Sequence, residues 1–117
     1  IKNRVFSFTE HMARFYNECD FVISRSGAMT VSELLALAMP AIMVPYPYAG
    51  GHQRHNAMAL EKTGSGIMLE EKDLTPSIMR DAIWKLMDRN ILSAMSARAK
   101  DIDTRDACRI LIKELYK

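Results

Sequence analysis

The hydrophobic positions of this chain fall into short apolar runs separated by amphipathic stretches. Val5, Phe6, Ser7 and Phe8 form a β-prone run, after which Met12, Phe15, Tyr16 and Cys19 recur at helical spacing. Phe21, Val22, Ile23 and Ser24 make a second run, ended by Ser26 and Gly27. Residues 31–39 are then dense in the helix formers Leu and Ala, and Pro40 stops that helix. A third run covers 41–45, closed by the turn-rich residues 46–51, and a helix is expected over 52–62 before the stop Gly64-Ser65-Gly66. Ile67, Met68 and Leu69 form a fourth run. Asp73 and Thr75 supply N-cap chemistry, Pro76 suits a first helical position, and the remaining pattern predicts helices over 75–90, 91–99 and 103–116.

Four apolar runs alternating with helices predict an α/β fold: a parallel, Rossmann-like sheet of about four strands with helices on both faces. Ligands of such sheets bind outside the carboxyl ends of the strands. Two segments reach that edge carrying polar residues and glycine, 24–33 and 46–56.

Composition narrows the function only by exclusion. The 117 residues are 49% hydrophobic, enough for one domain with a core, and 16 Lys and Arg against 14 Asp and Glu leave a formal charge of +2, too small to indicate nucleic acid as a partner. Cys19 and Cys108 are far apart, which disfavours a disulfide scaffold or zinc site and fits a reducing compartment. His52 and His55 are three apart but lack a third ligand or an HExxH pattern, and no GxSxG elbow is present. The methionines sit mostly on apolar stripes and read as core filler. No apolar stretch reaches the roughly 18 residues needed to span a bilayer. The chain begins at Ile1 and enters structure at once, and so reads as a piece of a longer protein.

The first loop supports two readings. Gly27 followed by the free N–H groups of a helix start, Ala28, Met29 and Thr30, suits an anion. Thr30, Val31, Ser32 and Glu33 equally match a capping box, in which the helix satisfies its own first turn. Neither a Walker loop nor a dinucleotide fingerprint is present. Arg25 alone reads as a solvated charge at a strand's carboxyl end. In the second loop His52, Gln53, His55 and Asn56 place several donors and acceptors on one helix start, suited either to sugar hydroxyls or to capping.

The string RSGAMTVSE at 25–33, followed by PAIMVPY at 40–46, HQ at 52–53, NA at 56–57 and LEK at 60–62, closely resembles the C-terminal domain of the MurG family. These are bacterial N-acetylglucosaminyltransferases that complete lipid II in peptidoglycan synthesis, and the resemblance covers nearly the whole chain. It implies a GT-B glycosyltransferase, of which residues 1–117 are part of the C-terminal, UDP-sugar donor domain. The N-terminal acceptor domain and the glycine-rich loop that opens the C-terminal domain would lie outside them. By that resemblance Glu33 binds the uridine ribose hydroxyls, and Gly27, Ala28, Met29 and Thr30 form the helix start that faces the donor diphosphate. Arg25 is the motif's arginine, Gln53 and Asn56 lie near the N-acetylglucosamine hydroxyls, and His52 stands where some members carry Gln. Phe8 and Thr9 fall at the uracil.

The family further implies no cofactor, no metal contact from these residues, and a general base in the other domain. Its donor is UDP-N-acetylglucosamine, its acceptor is lipid I, and its place is peripheral, on the cytoplasmic face of the inner membrane. Two alternatives are a non-catalytic UDP-sugar-binding or partner-docking subunit of a split glycosyltransferase, and a UDP-sugar epimerase of the same layout.

Overall fold

Three short strands, β1 (Val22–Ser24), β2 (Ala41–Met43) and β3 (Gly66–Met68), lie parallel in the order β1-β2-β3 in the computed structural model, which describes residues 3–101. Five α-helices accompany them: α1 (Met12–Glu18), α2 (Ala28–Ala36), α3 (His52–Thr63), α4 (Pro76–Leu86) and α5 (Arg89–Lys100). β2 is central and wholly buried, and its alternation divides the core. Ala41 and Met43 face a cluster with Tyr16, Val31, Leu34, Leu35, Ala57 and Leu60, while Ile42 faces Ala82, Leu86 and Met95. The helices therefore cover both faces of the sheet, as parallel strands require.

The expected α/β architecture is present with three strands rather than four. Residues 5–8 form no strand: Val5 and Phe8 are 92% and 79% exposed, and no described strand pairs with this run. A β-prone run without a neighbour has no ladder to satisfy its backbone, so propensity alone does not make it a strand.

Helix ends follow local chemistry. Thr75 accepts the Ile78 N–H and Pro76 opens α4, as the sequence predicts. The stretch expected to run through 90 instead breaks after Leu86, because Asp88 accepts the N–H groups of Asn90 and Ile91 and starts α5. α2 stops before Pro40 is reached: Ala38 is left-handed at φ 51, and the N–H groups of Ala38 and Met39 donate to Leu35 and Leu34. This is a Schellman turn with alanine where glycine is usual. The helix predicted over 103–116 lies outside the described residues.

Candidate functional site

Beyond the carboxyl ends of β1 and β2 the chain turns into α2 and α3, and both helices start there without a side-chain cap. Gly27 is the N-cap of α2, and the first helical bond runs from the Val31 N–H to the Gly27 carbonyl at 3.0 Å. The N–H groups of Ala28, Met29 and Thr30 thus lack helical acceptors and carry the positive end of the helix dipole. Gly27 has an ordinary φ of −60°, and a Cβ on it would meet nothing within 4 Å. A side chain at this position would therefore point into open space. α3 begins through a 3₁₀ turn at Ala49–Gly51 in which Gly50 and Gly51 both have φ 74°, leaving the α3 start uncapped as well.

The capping-box alternative is not realised. Because α2 begins at Ala28, Thr30 is already the third helical residue and Glu33 lies in the second turn, out of reach of the role. Glu33 is exposed, and its Oε2 accepts the Tyr16 hydroxyl at 3.2 Å. Tyr16 is 6% exposed, and burial, followed by the bond to Glu33, pushes its phenol above the usual value of 10.0.

The two loops are tied by side chains of α3. Gln53 Oε1 accepts the N–H groups of Ser26 at 3.2 Å and Tyr46 at 2.9 Å, and the Ser26 hydroxyl donates to the Gln53 carbonyl at 2.6 Å. Asn56, 2% exposed, donates from Nδ2 to the Ser26 carbonyl at 3.0 Å, while its Oδ1 is buried with no protein partner. Asn56 is therefore turned to the loop backbone rather than to solvent. Gln53 is half-buried, and its carbonyl end is taken while its amide N–H groups have no protein acceptor among the described residues. Ser26, fully buried at the centre of this network, escapes sequence reasoning because an internal hub looks the same as any loop serine.

Arg25 does not stand free. Its guanidinium donates to the carbonyls of Val44 at 3.3 Å and Pro45 at 3.4 Å, pairs with Glu71 at 3.1 Å and lies 5.8 Å from the Tyr46 ring centre. Nearby, Arg54 and Lys72 both pair with Glu70, and the bond from Arg54, then that from Lys72, holds the Glu70 carboxyl below its usual value. Charge on this rim is largely matched, so the donors left open at this edge are the backbone N–H groups of the α2 start.

The remaining sequence candidates are more local. Met29 is 79% exposed on the first turn of α2, and Thr30 is half-buried beside it. His52 is exposed at the start of α3. Thr9 Oγ1 accepts the His11 N–H at 3.0 Å, just before α1, and lines a 520 Å³ cleft with Phe8, Arg14 and Phe15. A larger groove of 920 Å³, lined by Cys19, Pro40, Ile83, Leu86 and Leu92 among others, opens at the opposite, amino edge of the sheet. Among the described residues no group of three metal-ligating side chains converges, and no helix is long and apolar enough to cross a membrane.

Comparison with known proteins gives this geometry a family. Residues 1–109 match the glycosyltransferase family 28 C-terminal domain. A UDP-N-acetylglucosamine--N-acetylmuramyl-(pentapeptide) pyrophosphoryl-undecaprenol N-acetylglucosamine transferase of Acetivibrio thermocellus is 45% identical over 91% of this chain and 30% of its own. The enzyme of the same name from Clostridioides difficile is 37% identical over 97% of this chain and 28% of its own. The crystal structure of Acinetobacter baumannii MurG superposes with a TM-score of 0.79 at 31% identity, over 94% of this chain and 33% of that one. The chain thus spans about a third or less of the length of these relatives. A parallel α/β layer with two uncapped helix starts at its carboxyl edge and a match over residues 1–109 lead to one assignment: the chain belongs to the glycosyltransferase family 28 C-terminal domain.

Proposed function

We propose that this chain is part of the donor-binding domain of a GT-B, inverting N-acetylglucosaminyltransferase that moves N-acetylglucosamine from its UDP carrier to lipid I, forming lipid II. The observation that carries the reading is the start of α2, where Gly27 leaves open space and the N–H groups of Ala28, Met29 and Thr30 have no internal acceptor. A diphosphate supplies the negative charge that such a start binds. The named relatives supply the nucleotide sugar and the acceptor.

In this reading the muramyl C4 hydroxyl of lipid I attacks the anomeric carbon from the face opposite the diphosphate. The C–O bond to the diphosphate breaks and the configuration inverts to a β-1,4 linkage. The difficulty is charge developing on the departing diphosphate, and fixed donors with an aligned dipole stabilise it without reorganising. Glu33 accepts from the ribose hydroxyls, and Thr30 adds its hydroxyl beside the phosphates. Gln53 offers its unused amide hydrogens to the sugar, Asn56 holds the loop beneath through Ser26, and Arg25 braces the loop after β2. His52 lies at the same mouth, and Thr9 with Phe8 borders the uracil. No metal or cofactor enters through these residues. The acceptor, the general base and the contact with the cytoplasmic face of the inner membrane belong to the rest of the protein.

Titration of the intact protein with UDP and UDP-N-acetylglucosamine tests the reading. Glu33→Ala is expected to weaken UDP by about 1.5–3 kcal/mol, the worth of a hydrogen bond to a charged group, and to lower thermal stability as well, because the Tyr16 hydroxyl loses its acceptor. Undiminished UDP binding in that variant rejects the ribose role, and absence of lipid II formation by the intact, unaltered protein rejects the transferase reading.

A further inference from the structure

Glu33 is exposed on the second turn of α2, where an unrestrained glutamate samples several rotamers and loses that freedom when a ligand fixes it. Here one of its two carboxylate oxygens is already occupied. Tyr16, seventeen residues earlier and on a different helix, donates its hydroxyl to Oε2 at 3.2 Å. Its ring belongs to the core cluster that includes Val31, Leu34 and Leu35 of α2, so the hydroxyl is held by the core rather than by solvent. Oε1 has no partner among the described residues, and a Tyr O–H bound to Oε2 leaves it free to accept.

We propose that Tyr16 is a positioning residue that fixes the Glu33 carboxylate for a ribose diol, and thereby sets the preference for ribonucleotides over 2′-deoxyribonucleotides. This rests on the reading of Glu33 as the ribose acceptor and deepens it. Tyr16 touches no ligand; it removes rotamer freedom from the residue that does, so that less is lost on binding. The hydroxyl is also the single atom separating Tyr from Phe, so Tyr16→Phe removes the bond while keeping the ring in the core.

The test is titration of the intact protein, unaltered and as Tyr16→Phe and Glu33→Ala, with UDP and 2′-deoxy-UDP, alongside thermal melting of each. The unaltered protein is expected to prefer UDP. Tyr16→Phe should lower UDP affinity by several-fold to about tenfold, because an unanchored Glu33 then gives up its rotamer freedom on binding, while 2′-deoxy-UDP affinity changes less, so that the preference shrinks toward that of Glu33→Ala. An equal loss for both nucleotides marks a merely structural tyrosine and overturns the proposal, as does a preference unchanged in Tyr16→Phe but abolished in Glu33→Ala. No preference in the unaltered protein overturns the ribose reading of Glu33 itself. Because the quantity read is a ratio within each variant, a modest loss of folded protein does not mimic the effect.

Discussion

Ser26 and Gln53 are joined twice: the Ser26 N–H donates to the Gln53 side-chain oxygen at 3.2 Å, and the Ser26 hydroxyl donates to the Gln53 main-chain carbonyl at 2.6 Å. The pairing fixes the α2 start relative to the α3 start, since Ser26 immediately precedes the N-cap Gly27 and Gln53 is in the first turn of α3. Gln53→Ala removes the acceptor of the buried Ser26 N–H and of the Tyr46 N–H, and is expected to cost about 1–3 kcal/mol in urea unfolding. Gln53→Glu retains both acceptor positions and should keep most of that stability while placing a negative charge beside the proposed anion site. Its UDP affinity should therefore fall more than its stability, and a variant that loses stability like Gln53→Ala yet binds UDP normally contradicts the arrangement.

Tyr16 carries a pH signature. Its folded pKa is raised above 10.0, so the phenol stays protonated in the folded chain while the unfolded chain ionises. The corresponding stability is present below pH 10 and is lost as pH rises from there through the folded value. Denaturant melts of the unaltered chain above pH 10 should decline more steeply than those of Tyr16→Phe, with the two slopes alike at pH 7.

Glu70 behaves in the opposite sense. Arg54 and Lys72 hold it ionised below its ordinary 4.5, so its contribution is present above that pH and is lost as acid is added past it. Glu70→Gln should flatten the acid limb of the stability curve, and 1 M salt should shrink the difference between variant and parent, because the group is at the surface and screened.

Two turn positions make a matched pair. Ala38 holds φ 51 in the Schellman turn of α2, and Gly64 holds φ 80 at the end of α3. Ala38→Gly relieves left-handed strain and is expected to raise stability by on the order of 1 kcal/mol, whereas Gly64→Ala should lower it by at least about that much. The loss at Gly64 comes from its left-handed angle, since the neighbour a Cβ would meet there, Arg98 Cδ at 2.5 Å, belongs to an exposed side chain that turns aside. Midpoints of urea denaturation with unchanged slopes measure both.

The central strands, the Thr75 cap and Pro76 start, and the glycine end of α3 were legible because each rests on residues near one another in sequence. The strand expected at 5–8 was not, since strand formation needs a partner that local sequence does not name. The motif TVSE misled by register: its four residues suit a capping box, but the helix begins at Ala28, two residues before Thr30, and Glu33 turns to Tyr16 instead. The site shows the same division. The helix start just after Gly27 was readable from local residues, whereas the links from Gln53 and Asn56 to Ser26 cross 27 to 30 residues and belong to packing that periodicity cannot report. Tyr16, counted on the apolar stripe of α1, concealed a polar task in its last atom.

β1 is the terminal strand of the described sheet, and Ile23 at its middle is 46% exposed. An edge strand with a half-exposed isoleucine is a template for another backbone, and a three-residue strand is protected mainly by its shortness. Handling of the isolated chain is thus governed by crowding as much as by heat. Its solubility limit, and any slow turbidity in storage, should respond to Ile23→Lys, a charge on this strand that leaves the start of α2 untouched.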